Sequence, residues 1–379
     1  MNATSIAQPL LTPLRIGDLT LPNRVVMAPM TRARASNAEL APTPAHALYY
    51  AQRAGAGLII TEGTWVSTQS IGASNVPGIY TEAQTTAWTA VTEAVHQAGG
   101  RIFSQLGHSG AKSHPDHLGG AQPAGPSAIN PGEQRRTPTG MKDTVTPREF
   151  TPAEITQTIA DYRAAASNAH RAGFDGIEVH AQGSYLIPQF LNPRLNQRTD
   201  AYGGSTAARA RFLLELLHAV TGIWDSPRVG VKLSPYWSGG TFTADEDTLA
   251  RYDWLIGELN SADLAYLHLM GPTPPEDRDD HLALFSRYRA AYQGTLVVNV
   301  GFTQDGANTA IERAGADAVS FGAPFIANPD LVDRFAHGYP LAAADPATIY
   351  TGGSTGYTDY PTATLVPPRH APAPTRGHR

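Results

Sequence analysis

Short apolar runs alternate with longer amphipathic stretches along almost the whole chain. A strand buried on both faces reads as a continuous apolar run, so this alternation predicts a parallel sheet with crossover helices. Eight runs qualify as strands: Arg24–Met30, Gly57–Glu62, Arg101–Leu106, Gly176–His180, Val229–Ser234, Ala265–Leu269, Leu296–Asn299 and Ala318–Phe321. Helix start signals fall between them. Thr151-Pro152-Ala153-Glu154 offers a capping Thr, a Pro at the first helical position and a Glu placed to close a capping box. Thr43-Pro44 repeats that start, and Asn328-Pro329-Asp330 leads into a closing helix.

Eight βα units predict an α/β protein built as a single (β/α)8 TIM barrel. An open doubly wound sheet fits less well, because no G-x-G-x-x-G opens a helix after a strand and no Walker loop occurs. Residues 1–22 read as an N-terminal segment closing the barrel bottom, and 23–361 as the barrel. The Gly-, Pro-, Ser- and Thr-rich stretch 107–150 reads as a lid inserted after the third strand. Residues 362–379 read as a disordered tail.

A barrel gathers its chemistry at the C-terminal ends of its strands. The polar residues there are Thr31, Glu62, Gln105, His180, Lys232, His268 and Asn299. His180-Ala-Gln-Gly-Ser-Tyr185 is the densest segment. An imidazole and a phenol facing one cavity can polarise an oxygen and deliver a proton. Tyr185 reads equally well as a core aromatic with a satisfied hydroxyl.

Composition narrows the function classes. With 41% hydrophobic and 16% charged residues the 379-residue chain can fill a large core. A net charge of −5 without a basic block shows no nucleic-acid footprint. No run is long enough for a membrane span, and the absence of cysteine removes disulfides, thiolate metal sites and thiol nucleophiles. A cytoplasmic enzyme, monomeric or homodimeric, is expected, with a small-molecule substrate and no metal.

Several ordered motifs carry a family resemblance: Asn23-Arg-Val-Val-Met-Ala-Pro-Met-Thr31-Arg, Gln105, Asn196-Gln-Arg-Thr-Asp-Ala-Tyr-Gly-Gly-Ser205, Phe321-Gly322, Ile326-Ala-Asn-Pro-Asp330 and Gly356-Tyr-Thr-Asp-Tyr-Pro361. From Leu11 to about Pro361 the chain resembles the old yellow enzyme family of FMN-dependent ene-reductases. The resemblance implies that Thr31 and Gln105 contact the flavin, that Lys232 stands where the family usually has Arg, and that Tyr357 lies near the outer flavin ring. It also implies that His180 holds the substrate oxygen and Tyr185 donates the proton. Gly301, Gly322 and Ala323 fall at the implied phosphate site. Glu62, Trp65, Ala73, Gly107, Gln182 and Gly183 complete the expected substrate pocket.

Departures from the family pattern set the functional expectation. Gly183 replaces the second oxygen-holding His or Asn, Ala323 replaces an Arg, and Val300 occupies a Gly position. Each charge-assisted phosphate bond lost with that Arg is worth roughly 1.5 to 3 kcal/mol. Gly107 and Ala73 stand where relatives carry Trp and Tyr, which widens the cavity toward a large, apolar substrate. The favoured expectation is therefore a flavin-independent, cofactor-free enzyme that performs cyclisation, isomerisation or ring rearrangement on a bulky unsaturated secondary metabolite. The alternative is an FMN-dependent NAD(P)H ene-reductase of α,β-unsaturated carbonyl compounds. A ligand-binding barrel without activity is a third.

Overall fold

Eight parallel strands form the barrel: β1 (Val25–Met27), β2 (Leu58–Ile60), β3 (Ile102–Gly107), β4 (Gly176–Ala181), β5 (Val229–Leu233), β6 (Tyr266–Met270), β7 (Leu296–Asn299) and β8 (Ala318–Phe321). The computed structural model describes residues 8–224, 227–272 and 278–363. Its strands run β4-β5-β6-β7-β8-β1-β2-β3 around the ring, and a further pairing of β3 with β4 closes it. β1 and β2 are shorter than the runs that predicted them. The Asn23 side chain takes over at their entry, its Oδ1 accepting from the N–H of Val25 (3.1 Å) and of Gly57 (2.8 Å).

Helices wrap the outside: α1 (Pro44–Ala51), α2 (Glu82–Gln97), α3 (Pro152–Arg171), α4 (Leu186–Leu191), α5 (Thr206–Thr221), α6 (Glu246–Glu258), α7 (Arg278–Ala291), α8 (Gln304–Arg313), α9 (Ala323–Ala327) and α10 (Leu331–His337). Two predicted starts are found where the sequence put them. Thr151 caps α3, with Glu154 Oε2 accepting from the Thr151 N–H at 2.9 Å. Thr43 caps α1, where His46 closes the box by accepting the Thr43 N–H on Nδ1 at 3.0 Å. The closing helix α10 starts later than predicted, from Asp330. Asn328 instead spends its amide on the carbonyls of Pro324 and Ala342. No helix among the described residues is long and apolar enough to cross a membrane.

The barrel interior has an apolar floor. Val26, Leu58, Ile60, Phe103, Tyr266, Val297 and Ala318 form one buried cluster with Ile16 and Leu21. The last two belong to an antiparallel hairpin, Leu14–Ile16 with Leu19–Leu21, that packs against this floor. Each of the Val, Leu, Ile and Phe side chains contributes about 1.5 to 3 kcal/mol on burial. Two glycines make room for the large rings. A Cβ on Gly176 would lie 2.5 Å from the Phe103 ring, and one on Gly230 would lie 2.3 Å from the Tyr266 ring.

The stretch 107–150 is structured throughout much of its length. It holds 3-10 turns at Gly110–Lys112 and Pro115–His117, and a parallel pair of Ala124–Gly125 with Arg148–Glu149. Between them an antiparallel hairpin, Gln134–Thr137 with Gly140–Asp143, stands over the mouth side. Of the predicted tail, residues 364–379 lie outside the described residues.

Candidate active site

Strand alternation turns every second residue inward, so Glu178 and His180 of β4 face the interior with Gln105 of β3, Lys232 of β5, His268 of β6 and Ser320 of β8. Register puts Glu178 opposite Gln105 and Lys232 between His180 and His268. A buried polar layer results. Gln105 Nε2 donates to Glu178 Oε1 at 2.8 Å, His268 Nδ1 lies 2.8 Å from Glu178 Oε2, and His268 Nε2 lies 2.7 Å from Ser320 Oγ. A carboxylate only accepts, so His268 carries its proton on Nδ1 and accepts from Ser320.

Charge in this layer is shared by two groups. Burial pushes Glu178 up, but His268, Lys232 and Gln105 outweigh it and hold the carboxylate below its usual range. Burial lowers Lys232 to about 8, opposed by Glu178. Burial also holds His268 near 4, so it stays neutral. Lys232 is 2% exposed and makes no hydrogen bond among the described residues. The Gln105 carbonyl oxygen likewise accepts none. Both groups are therefore available to a ligand above the layer.

His180 is the penultimate residue of β4, and its ring lies 4.3 Å from that of Tyr185, which caps the N-terminus of α4. Burial, reinforced by Lys232, lowers His180 to about 3, so its imidazole is neutral. The Gln182 N–H approaches Nδ1 at 3.4 Å, which leaves Nε2 as the protonated, donating nitrogen. Gly183 adopts φ +64, and its N–H donates to Ser234 Oγ at 2.7 Å. A Cβ there would meet only Tyr185 Cδ2, at 3.9 Å, so the space beside the phenol stays open. Cβ positions at Gly63 and Gly107 would each lie 3.6 Å from the His180 ring or its Cβ. Two glycines thus flank the imidazole, and a third, Gly183, lies beside the phenol.

The insertion after β3 contributes residues that lie at no strand end. Lys112 Nζ donates to Ser184 Oγ and pairs with Glu133 Oε2, both at 2.6 Å, while Ser184 Oγ donates to Glu133 Oε2 at 2.8 Å. Arg135 Nε donates to the Gly72 carbonyl. The Arg135 guanidinium and the Lys112 ammonium each lie 5.7 Å from the centre of the Tyr185 ring. Burial pushes the Tyr185 phenol up, but these two cations outweigh it and hold it below the usual value. The Thr137-Pro138-Thr139-Gly140 turn was the available signal for this hairpin.

The remaining expected residues are distributed around this centre. Glu62 is 1% exposed. Its Oε2 accepts from the N–H of Arg32 (3.1 Å) and of Ala33 (3.3 Å), fixing the loop that follows half-buried Thr31. Burial raises Glu62 to about 7. Tyr357 is also fully buried, stacked on Tyr49 at 4.1 Å with the guanidiniums of Arg32 and Arg34 over its ring. Trp65 is buried opposite Gly107, and Ala73 is half-buried beside Gly72. Gln182 is half-buried.

At the ends of β7 and β8 the site is made of main chain. Val300 has φ +89 and Gly301 φ +75, two successive left-handed residues after Asn299. Gly322 precedes α9, whose first residue, Ala323, is exposed. None of Asn299, Val300, Gly301, Gly322 and Ala323 carries a positive charge.

Comparison with known proteins gives this geometry its context. The profile of the NADH:flavin oxidoreductase / NADH oxidase family matches residues 9–342. The chain belongs to that family, the old yellow enzyme family. It is 38% identical over 368 residues to a putative 12-oxophytodienoate reductase 3 of Oryza sativa subsp. japonica, covering 95% of this chain and 94% of the relative. It is 40% identical over 365 residues to a probable flavin mononucleotide-dependent alkene reductase of Leishmania infantum, covering 93% and 97%. The solved structure of morphinone reductase aligns with a TM-score of 0.88 at 42% identity, covering 96% of this chain and 98% of that one.

Membership of this flavin oxidoreductase family, with a relative described as a probable flavin mononucleotide-dependent alkene reductase, overturns the expectation of a flavin-independent, cofactor-free cyclase or isomerase. The physical reason lies in the phosphate end. A β-branched side chain disfavours the left-handed conformation open to Gly, yet Val300 adopts it, at a cost of about 1 to 3 kcal/mol. The loop shape survives its side chain. Lys232 keeps a cation where the family usually has Arg, and main-chain N–H groups at a turn can hold an anion without a guanidinium.

Proposed function

We propose that this protein is an FMN-dependent reductase that uses NADH or NADPH to reduce the C=C bond of α,β-unsaturated carbonyl compounds. The observation that carries the reading is the pairing of a neutral His180 with the Tyr185 phenol, ring centres 4.3 Å apart, at the end of β4. Reductase relatives that cover nearly the whole chain support it.

The residues present fit FMN. Lys232 is a buried cation without a hydrogen-bond partner among the described residues, and the Gln105 carbonyl oxygen is free because Glu178 occupies the amide. These two, with Thr31, would hold the ring, and the backbone of Val300, Gly301 and Gly322 would hold the phosphate. FMN, when bound, supplies the hydride. His180 donates from Nε2 to the substrate's carbonyl oxygen and draws charge toward it. Tyr185 gives its proton to the carbon α to that carbonyl. With Gly183 in place of a second donor, His180 holds the oxygen alone, and Gly63, Gly107 and Gly183 leave room for ring-bearing enones.

The purified protein should show flavin absorbance or gain it on addition of FMN, and should oxidise NADH or NADPH when given a cyclic enone. Tyr185→Phe should slow turnover by about 100-fold or more, as expected for loss of a general acid. A colourless protein that cannot be reconstituted, or undiminished turnover in Tyr185→Phe, would sink the respective half of this reading.

A further inference from the structure

Tyr185 stands under a cationic pair that the barrel itself does not provide. Arg135 comes from the lid hairpin and Lys112 from the 3-10 turn after β3, each 5.7 Å from the phenol ring centre. The hairpin is tied to the segment carrying Tyr185 through Ser184, which donates to Glu133 and accepts from Lys112. Arg135 is anchored on its other side at the Gly72 carbonyl, and its Nη2 is buried without a hydrogen-bond partner. Four ionisable groups face the phenol: Arg135, Lys112, Glu133 and His180. His180 is neutral, and Glu133 is already paired with Lys112 at 2.6 Å. Arg135 is therefore the one of the four whose charge no carboxylate pairing offsets among the described residues.

We propose that Arg135 is a positioning residue that stabilises the phenolate left when Tyr185 gives up its proton, so that Tyr185 becomes an effective acid only when the lid hairpin is seated. The proton leaves the Tyr185 hydroxyl for the substrate's α-carbon, the phenolate faces Arg135, and water returns the proton before the next cycle. The chemistry of proton delivery is thereby coupled to closure of the mouth. This rests on the reading of Tyr185 as the proton donor.

The test uses the FMN-loaded protein carrying isotope-labelled tyrosine, with the Tyr185 Cζ resonance assigned by its loss in Tyr185→Phe. A charge at this distance shifts a neighbour by about one pH unit or more. Arg135→Gln should raise the titration midpoint of Tyr185 by that amount, and Arg135→Lys should restore most of it. Glu133→Gln, which removes the opposing charge, should lower it. The proton-consuming half of the cycle should slow about tenfold in Arg135→Gln, with flavin reduction by NADH or NADPH unchanged. A hairpin that matters only as a mechanical anchor predicts that Arg135→Gln and Glu133→Gln move Tyr185 in the same direction. That result, or a Tyr185 resonance indifferent to Arg135→Gln, would overturn the proposal. Undiminished turnover in Tyr185→Phe would instead overturn the proton-donor reading beneath it, leaving the titration as an independent measure of the pair.

Discussion

On the β3–β5 side of the mouth, Gln105, Glu178, His180 and Lys232 place four buried polar side chains within a few residues of the strand ends, bonded to one another or aimed at a ligand. On the β7–β8 side the equivalent positions are Val300, Gly301, Gly322 and Ala323, and what faces outward is main chain. A site made of side chains changes its chemistry with each substitution. A site made of main chain keeps its chemistry as long as φ and ψ are kept, and Val300 at φ +89 stays in the left-handed region that Gly favours. Counting the replaced side chains therefore overstated the loss of flavin contacts at the phosphate end.

The contrast predicts unequal sensitivity. The largest effect should come from Glu178→Ala, which strands the Lys232 ammonium and His268 without their carboxylate. Leaving the buried His268 and Gln105 donors without their acceptor costs about 1 to 3 kcal/mol each, readable in urea unfolding. A loss below 1 kcal/mol would mean that the layer is not a charged network.

Lys232 gives a pH signature. Burial lowers it to about 8, so the ammonium is present below that value and lost as the pH rises through it. FMN affinity, followed by quenching of flavin fluorescence, should fall above that pH by up to about tenfold per unit. In Lys232→Arg the guanidinium stays charged and the curve should be flat. Identical curves for the two proteins would remove Lys232 from the flavin site.

Substitutions on the main-chain side should act more gently. Ala323→Arg has exposed space to occupy and should tighten FMN binding about tenfold by adding a charge-assisted phosphate bond. Val300→Gly should raise stability by only about 1 kcal/mol, since relief of the left-handed strain is partly offset by a more flexible unfolded chain. FMN affinity should hardly change in Val300→Gly. A large gain there would mean that the valine had displaced the turn after all.

How much of the site was legible follows the same division. His180, Gln105 and Lys232 are legible because strand ends are marked by apolar runs that stop at a polar residue, whereas the role of Tyr185 comes from the resemblance. Glu178 was hidden inside such a run, Gly176-Ile-Glu-Val-His180, although its spacing of two from His180 put it on the same face. The strand-end position makes Glu62 a pocket candidate and the resemblance does the same for Tyr357, but only the tertiary structure shows that Glu62 pins a loop while Tyr357 stacks on Tyr49. Arg135, Lys112 and Glu133 lie in a stretch without periodicity, where no rule of spacing says which side chain reaches back across the mouth.

The sequence by itself determined the eight-strand barrel, two of the helix caps and the closeness of His180 and Tyr185 along the chain, because these depend on local periodicity and on residues close in the chain. Tertiary structure alone decided which cation stands over Tyr185, how Glu178 links β3 to β6, and that Val300 keeps a glycine-like turn. Each of those is settled by groups distant in sequence, or by a backbone angle that the surrounding fold imposes on a side chain that would not choose it.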